Sequence, residues 1–317
     1  MIVVTGGAGF IGSNLVRALN QRGETDICVV DDLSDVAKVA NLADCVIADY
    51  LDRDDLAARI EAGIRGRLPR VRAVLHQGAC SDTMETDGRF LMHNNYEHSR
   101  RILGWCLGAR IPLVYASSAA VYGAGPVYRE SPEHERPLNA YGYSKLAFDQ
   151  HVRRALAVAR SPVVGLRYFN VYGPREAHKG RMASVAWHGD RQLREAGRIR
   201  LFAGSDGYGD GEQRRDFVHV DDVVSVVLWF LEAGRPSGVF NVGTGRSQSF
   251  NELARAVVEW HGRGAIEYVP MPDALHGRYQ SFTEADLDQL RAAGYDRPFL
   301  DVRAGVHRYL DAIHPER

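Results

Sequence analysis

Apolar positions fall in short unbroken runs through the first half of this chain, at residues 2–5 (IVVT), 27–31 (ICVVD), 73–79 (AVLHQGA), 112–118 (PLVYASS) and 163–171 (VVGLRYFNV). Helix-length segments of mixed polarity lie between them. Runs that do not alternate with polar residues suit strands covered on both faces, and strands separated by helix-length segments pair in parallel. The pattern predicts an α/β fold around a doubly wound parallel sheet. Beyond Pro174 the order loosens through REAHKGRMASVAWH and the glycine-rich FAGSDGYGDGEQRRDF, then returns in VHVDDVVSVVLWFLE and GVFNVGTG. We expect a main domain from residues 1–169 with returning segments near 216–243, and a smaller C-terminal α/β lobe from 170–215 and 244–317. Residues 204–211 are compositionally biased and read as a mobile loop.

Composition narrows the partners. A chain of 317 residues holds one large α/β unit or two joined domains, with ample core. Thirty-nine basic residues against forty acidic ones offer no general attraction to nucleic acid or anionic lipid. Cys28, Cys45, Cys80 and Cys106 lack Cys-x-x-Cys spacing and read as reduced thiols of a cytosolic protein. No metal site is expected. The opening MIVVTGG carries no basic region, long apolar core or cleavage site, so no cleavable export signal is expected. The most apolar later run, Val223 to Leu231, is too short to span a bilayer.

Chemistry enters with VTGGAGFIGSNLVRAL, which sets Gly7, Gly9 and Gly12 in Gly-x-Gly-x-x-Gly register between the first strand and a helix opening at Phe10 and Ile11. Such glycines let a backbone approach a pyrophosphate, whose charge the helix N-terminus stabilises. Asp31 and Asp32 end the second strand about twenty residues on, where an acid meets a ribose diol. Lys38 and Arg53 could instead hold a 2′-phosphate, so this chemistry leaves NAD and NADP both open. Gly78 and Ala79 close the third run, and Ser117 and Ser118 end the fourth at the sheet edge where ligands bind. In LNAYGYSKLAFDQ, Tyr141 stands one helical turn before Lys145. A neighbouring ammonium favours the phenolate, a general base for an alcohol.

A glycine loop, a serine at the fourth strand end and Tyr-x-x-x-Lys on the next helix together resemble the extended short-chain dehydrogenase/reductase superfamily, implying a Rossmann-type sheet. That resemblance implies Tyr141 as acid/base, Lys145 lowering its pKa and holding the nicotinamide ribose, and Ser118 binding the substrate hydroxyl. At finer grain, HQGACSDT, NNYEHSRRIL, RYFNVYGPREAHKGRMASVAWH, RRDFVHVDDV and GRYQSFTEADLDQLRAAGYD are similar, with the rest of the chain, to the ADP-L-glycero-D-manno-heptose 6-epimerases. This implies inversion of C6″ of ADP-glycero-manno-heptose by transient oxidation, supplying heptose for lipopolysaccharide core. It also implies one NADP per subunit, with NAD as the alternative, and a cytoplasmic homo-oligomer, a pentamer. By the same resemblance Lys179 is the second catalytic base, Asn170 and His188 contact substrate or cofactor, and Arg181 lies beside the second base. Phe202, Ala203, Gly204, Ser205, Arg215 and Tyr279 line the nucleotide-sugar pocket. Gln77, Cys80, Ser81, Asn94 and Val171 fall at cofactor positions with Lys38 and Arg53. The chain departs from the pattern at Asp32, expected as asparagine, at Gln77, expected as glutamate, and at Arg181, expected as serine. A UDP-hexose 4-epimerase is the nearest rival and needs no counterpart to Lys179. A 4,6-dehydratase is disfavoured by Ala119 and Ala120, where an acid and a base would be needed. A non-catalytic dinucleotide sensor is the alternative from another class.

Overall fold

The structure is a computed structural model describing residues 1–63, 70–272 and 280–316. Its strands run in chain order β1 (Ile2–Thr5), β2 (Ile27–Asp31), β3 (Asp49–Asp52), β4 (Ala73–His76), β5 (Leu113–Ser118), β6 (Val163–Tyr168) and β7 (Asn170–Tyr172). They continue with β8 (Arg198–Phe202), β9 (Arg214–Arg215), β10 (Phe217–His219), β11 (Gly238–Val242), β12 (Gln248–Ser249) and β13 (Ala265–Val269). The chain divides into two compact units.

The first unit, Met1–Val121 with Asn139–Arg167 and Val224–Phe240, is built on a sheet of order β11-β6-β5-β4-β1-β2-β3. β1 pairs in parallel with β2 and β4, β2 with β3, and β4 with β5. The order turns around at β1, so this is the doubly wound arrangement that the apolar runs predicted. The strand centres of those runs are buried: Val3, Val4, Cys28, Val29, Val74, Leu75 and Leu113 have no exposed surface. Ile102, Leu103 and Cys106 of the His98–Ala109 helix and Phe148 and Val152 of the Ala140–Leu156 helix pack into the same core. Burial pushes the Cys28 and Cys106 thiols up to about 12, and none of the four cysteines forms a disulfide among the described residues.

One strand of this sheet escaped the hydrophobic pattern. β3, sequence DYLD, buries Leu51 alone and lies at the sheet edge. An edge strand needs a backbone ladder on one side only, and β2 supplies it. The connection from β2 is a short 3₁₀ turn, Val36–Asn41, capped by the Asp35 side chain on the Ala37 N–H.

The second unit comprises Tyr122–Leu138, Tyr168–Val223 and Asn241–Arg317. Its strands form short pairs, β7 with β10, β9 with β12 and β8 with β13. The core lies mainly on helices: Ala186 and Leu193, Leu253, Ala254 and Val257, and Val302, Val306 and Leu310 close around Ile199 and Phe217. The unit boundaries differ from the sequence reading, which kept 122–138 and 216–223 with the first domain. Tyr128 and Glu130 tie the first of these to Asn241, whose N–H donates to Glu130 Oε1 at 2.6 Å and whose Nδ2 donates to the Tyr128 carbonyl at 2.7 Å. Such long-range polar ties carry no sequence period. Among the described residues no helix is long and apolar enough to cross a membrane.

Candidate active site

The glycine loop occupies the turn from β1 into the Phe10–Gln21 helix. Gly6, outside the Gly7-x-Gly9-x-x-Gly12 register, carries the left-handed φ of +63° that the turn demands. A Cβ on Gly12 would stand 2.0 Å from the Gly6 carbonyl oxygen, and one on Gly6 would stand 2.6 Å from the Gly78 nitrogen. The loop is held from outside as well, since Ala8 N–H donates to Asp31 Oδ2 at 2.8 Å and Asn41 Nδ2 donates to the Ala8 carbonyl at 3.0 Å. Gly9 is the N-cap and brings no side chain to the helix end, where Phe10, Ile11 and Gly12 form the first turn. A cradle without side chains at a helix N-terminus fits a dinucleotide pyrophosphate.

At the end of β2 the two aspartates have separate surroundings. Asp31 is buried, and besides Ala8 its carboxylate accepts from the Asp32 N–H at 2.7 Å and from Lys38 Nζ at 3.1 Å. Asp32 is the more exposed, accepts from the Ser34 N–H at 2.9 Å, and lies 3.9 Å from Arg53 Nη1. Arg53 also donates to Asn94 Oδ1 at 2.9 Å. Lys38 Nζ also donates to the Asp32 carbonyl at 2.9 Å, so Asp32, Lys38, Arg53 and Asn94 form one linked group that joins, through Lys38, the Asp31 brace of the glycine loop.

The sequence reading overlooked what fixes the HQGACS segment. Asn95 takes the Cys80 N–H on Oδ1 at 2.9 Å, while its Nδ2 donates to the Cys80 carbonyl at 3.0 Å and to Ser144 Oγ at 3.1 Å. It sits in a π-helical turn, Met92–Glu97, of the kind often found at functional sites. Ser99 Oγ donates to the Asn95 carbonyl, so it accepts from His76 Nε2 at 2.8 Å. His76 Nδ1 then accepts from Thr5 Oγ1 at 2.6 Å, and Thr5 accepts from the Gly78 N–H at 3.2 Å. Burial holds the imidazole well below its ordinary pKa, which keeps it neutral for this chain. The backbone N–H of Gln77 bonds the Thr5 carbonyl at 3.0 Å, and Ala79 and Ser81 flank the tethered Cys80. The signal for Asn95 was its place beside Asn94 in NNYEHSRRIL.

Tyr141 and Lys145 lie in the opening turns of the Ala140–Leu156 helix, whose N-cap Asn139 accepts from the Gly142 N–H at 2.8 Å. Both are buried. Burial raises the Tyr141 phenol above its usual pKa and a hydrogen bond with Ser118 opposes the rise, so the phenol stands high where the sequence reading expected it lowered. Burial also drives the Lys145 ammonium down to about 8, which weakens it as a cation, and Nζ donates to the Ala116 carbonyl at 3.0 Å. Ser118 Oγ accepts from the Ala120 N–H at 3.1 Å. Behind them the fully buried Asp149 accepts from Tyr115 at 2.9 Å, Ser117 at 2.8 Å and Arg167 Nε at 2.9 Å, tying the helix to β5 and β6.

In the second unit Lys179 occupies a short turn, Ala177–Met182, with Nζ 3.9 Å from the buried Glu176 carboxylate. Burial lowers its pKa and Glu176 opposes the shift. Arg181 lies exposed on the same turn. His188 follows in the Val185–Ala196 helix against Trp187, with ring centroids 4.9 Å apart. Asn170 and Val171 run along β7, where the Asn170 N–H donates to the Asp216 carbonyl at 3.0 Å. Arg215 is buried with its guanidinium 5.7 Å from the Phe250 ring centroid. Phe202 ends β8, and the following loop is tied down: Gln213 Nε2 reaches the Ala203 carbonyl at 2.9 Å and Ser205 Oγ at 3.1 Å, and the Gly204 N–H donates to Asp210 at 2.8 Å. Tyr279 lies outside the described residues. Among the described residues no cluster has the make-up of a metal site.

The profile of the NAD dependent epimerase/dehydratase family matches residues 2–243. The ADP-L-glycero-D-manno-heptose-6-epimerase of Alkalilimnicola ehrlichii is 63% identical over 313 residues, 99% of this chain and 97% of that protein. The crystal structure of the Helicobacter pylori ADP-L-glycero-D-manno-heptose-6-epimerase superimposes with a TM-score of 0.82 at 30% identity, covering 99% of this chain and 96% of that one. The Thermus thermophilus UDP-glucose 4-epimerase in complex with NAD gives a TM-score of 0.81 at 30% identity over 100% and 99% of the two chains. With a profile match of that extent and relatives aligned over nearly their full lengths, the chain belongs to the NAD dependent epimerase/dehydratase family.

Proposed function

We propose that this chain inverts the C6″ stereocentre of ADP-glycero-manno-heptose, from the D-glycero to the L-glycero form, with a tightly held nicotinamide dinucleotide. The observation that carries this reading is the 63% identity along almost the whole chain to the Alkalilimnicola ehrlichii enzyme. A cofactor fits the first unit: Gly6, Gly7, Gly9 and Gly12 leave room for the pyrophosphate at the helix end, and Lys145 suits the nicotinamide ribose. Held by the glycine loop and Lys145, a nicotinamide would supply reversible hydride transfer at C6″, the chemistry that inversion through a ketone needs.

Everything else falls to side chains. Ser118 orients the reacting hydroxyl, and Tyr141 exchanges its proton as the alcohol and ketone interconvert on one face. Reduction from the other face puts the oxygen in a different place, so a second proton carrier is needed, and Lys179 takes that role. The phenol and the amine thus work on opposite half-reactions, exchanging assignments when the reaction runs in reverse. Lys38 beside Asp31 and Arg53 beside Asp32 support NADP over NAD, because each acid at the ribose end has a cation within reach of a 2′-phosphate. Resemblance to the heptose epimerases further supports a cytoplasmic homo-oligomer, a pentamer, acting in lipopolysaccharide core supply.

The reading is tested by incubating the purified protein with ADP-D-glycero-D-manno-heptose and resolving the two epimers by NMR. We expect the L-glycero product with no deuterium at C6″ in deuterated water. Turnover of UDP-galactose with none of ADP-heptose would replace this reading with the 4-epimerase one.

A further inference from the structure

We propose that Glu176 is the positioning residue for Lys179: its buried carboxylate builds the turn that presents the amine and serves as the counter-ion that fixes how tightly the amine holds its proton. The inference rests on the reading of Lys179 as the second base. Between Pro174 and Met182, Glu176 alone is buried, so a charged side chain is the anchor of this segment. A carboxylate removed from water persists only where donors and a cation compensate it. Here Oε1 accepts from the Gly173 N–H at 3.3 Å and from Ser184 Oγ at 2.6 Å, and Oε2 accepts from the Ser184 N–H at 2.7 Å. The buried Tyr309 hydroxyl donates to the same carboxylate from the Val302–Ile313 helix. These bonds draw together the two ends of a turn whose backbone is strained at Arg175, φ +73°, and turns left-handed at Gly180, where glycine does so freely. The Lys179 N–H closes it on the Glu176 carbonyl at 2.9 Å, leaving Nζ 3.9 Å from Oε2.

Among the described residues Tyr309 on the last helix acts on the carboxylate and is itself acted on by Asp190 of the Val185–Ala196 helix, while Arg175, His178 and Arg181 are the other titratable or charged side chains of the segment. The carboxylate favours the ammonium form, so removing its charge lowers the proton affinity of Lys179. Removing one of its donors leaves more of that charge for the lysine and raises it.

The test is competitive acetylation of the full-length, cofactor-loaded protein with acetic anhydride across pH, reading the Lys179 peptide by mass spectrometry. Glu176→Gln should move the Lys179 labelling midpoint down by about one pH unit. The limb of the kcat profile that Lys179→Met abolishes should move with it, while KM stays within about twofold. Ser184→Ala should move the midpoint up. A folded Glu176→Gln protein with full cofactor content and an unmoved midpoint overturns the proposal. If that variant does not fold, Ser184→Ala decides alone, an upward move supporting the proposal and an unmoved midpoint overturning it. Near-full turnover by Lys179→Met would instead remove the two-base reading, a result separate from where the midpoint falls.

Discussion

In the first unit Thr5, Asp31, His76 and Ser118 all stand at the carboxyl ends of parallel strands, brought to one edge by ladders that pair Thr5 with Val30 and His76, and Asp31 with Asp52. In the second unit the strand pairs run for two to five residues and cannot place distant side chains that way. Buried carboxylates do it instead. Asp216, with no exposed surface, accepts from Thr244 N–H at 2.7 Å, Thr244 Oγ1 at 2.8 Å, and the Gly245 and Ala285 N–H groups at 3.0 Å each. Asp190 holds His261 and His314 at 2.9 Å each, joining three helices, and Glu176 gathers the Lys179 turn. The first unit uses Asp149 similarly, but between elements that already share a sheet or its covering helix. A backbone ladder distributes its strength over many bonds, whereas a carboxylate with four donors concentrates it in one side chain. Single substitutions should therefore affect the structures of the two units unequally.

The largest expected effect tests whether both units contribute chemistry. Tyr141→Phe and Lys179→Met should each lower kcat by about two to four orders of magnitude, in protein that still retains cofactor. The double variant should be scarcely slower than the worse single one, because inversion fails when either half-reaction is blocked. Steady-state rates with ADP-heptose decide it, and additive losses would break the account.

Asp216→Ala should cost about 4 kcal/mol in urea unfolding, since four donors, one buried and three part-buried, lose their carboxylate acceptor. Hydrogen exchange should rise around Thr244 and Ala285 while the β1, β2 and β4 amides stay protected. Uniform loss of protection would mean that the carboxylate is not a local organiser.

Acid should act on both units through buried neutral histidines. Burial, aided by the cations of Arg53 and Arg101, holds His98 down at about 4, and burial holds His219 at about 4 in the second unit. From pH 6.5 downward the unfolded chain takes up a proton at His98 that the folded protein refuses. Stability therefore falls as pH falls toward 4, by roughly 3 kcal/mol from His98. His98→Gln should flatten the pH dependence of the urea midpoint over that window, and an unchanged slope would count against it.

The smallest effect concerns the cofactor. Lys38→Ala should weaken NADP about tenfold more than NAD, the scale of one phosphate contact partly offset by Asp31 and Asp32. Equal losses in calorimetric titrations would give the acids control and favour NAD.

What could be read before the fold follows the range of the interactions involved. The strands buried on both faces left unbroken apolar runs, the glycine loop left its spacing, and Tyr141 and Lys145 sit one helical turn apart, a distance set by local geometry. These are properties of neighbours in the chain, so the doubly wound sheet and the first unit's share of the proposed chemistry were legible in the residues alone. β3 was invisible because an edge strand burying only Leu51 leaves no hydrophobic signature. The left-handed turn at Gly6, the brace formed by Asp31, the clamp of Asn95 on Cys80 and Ser144, and the attachment of 122–138 to Asn241 depend on groups brought close only by folding. So does the high pKa of Tyr141, because burial outweighed the lowering by the Ser118 hydrogen bond. Tertiary structure decided these points because hydrogen bonding and desolvation respond to distance in space, which separation along the chain does not encode.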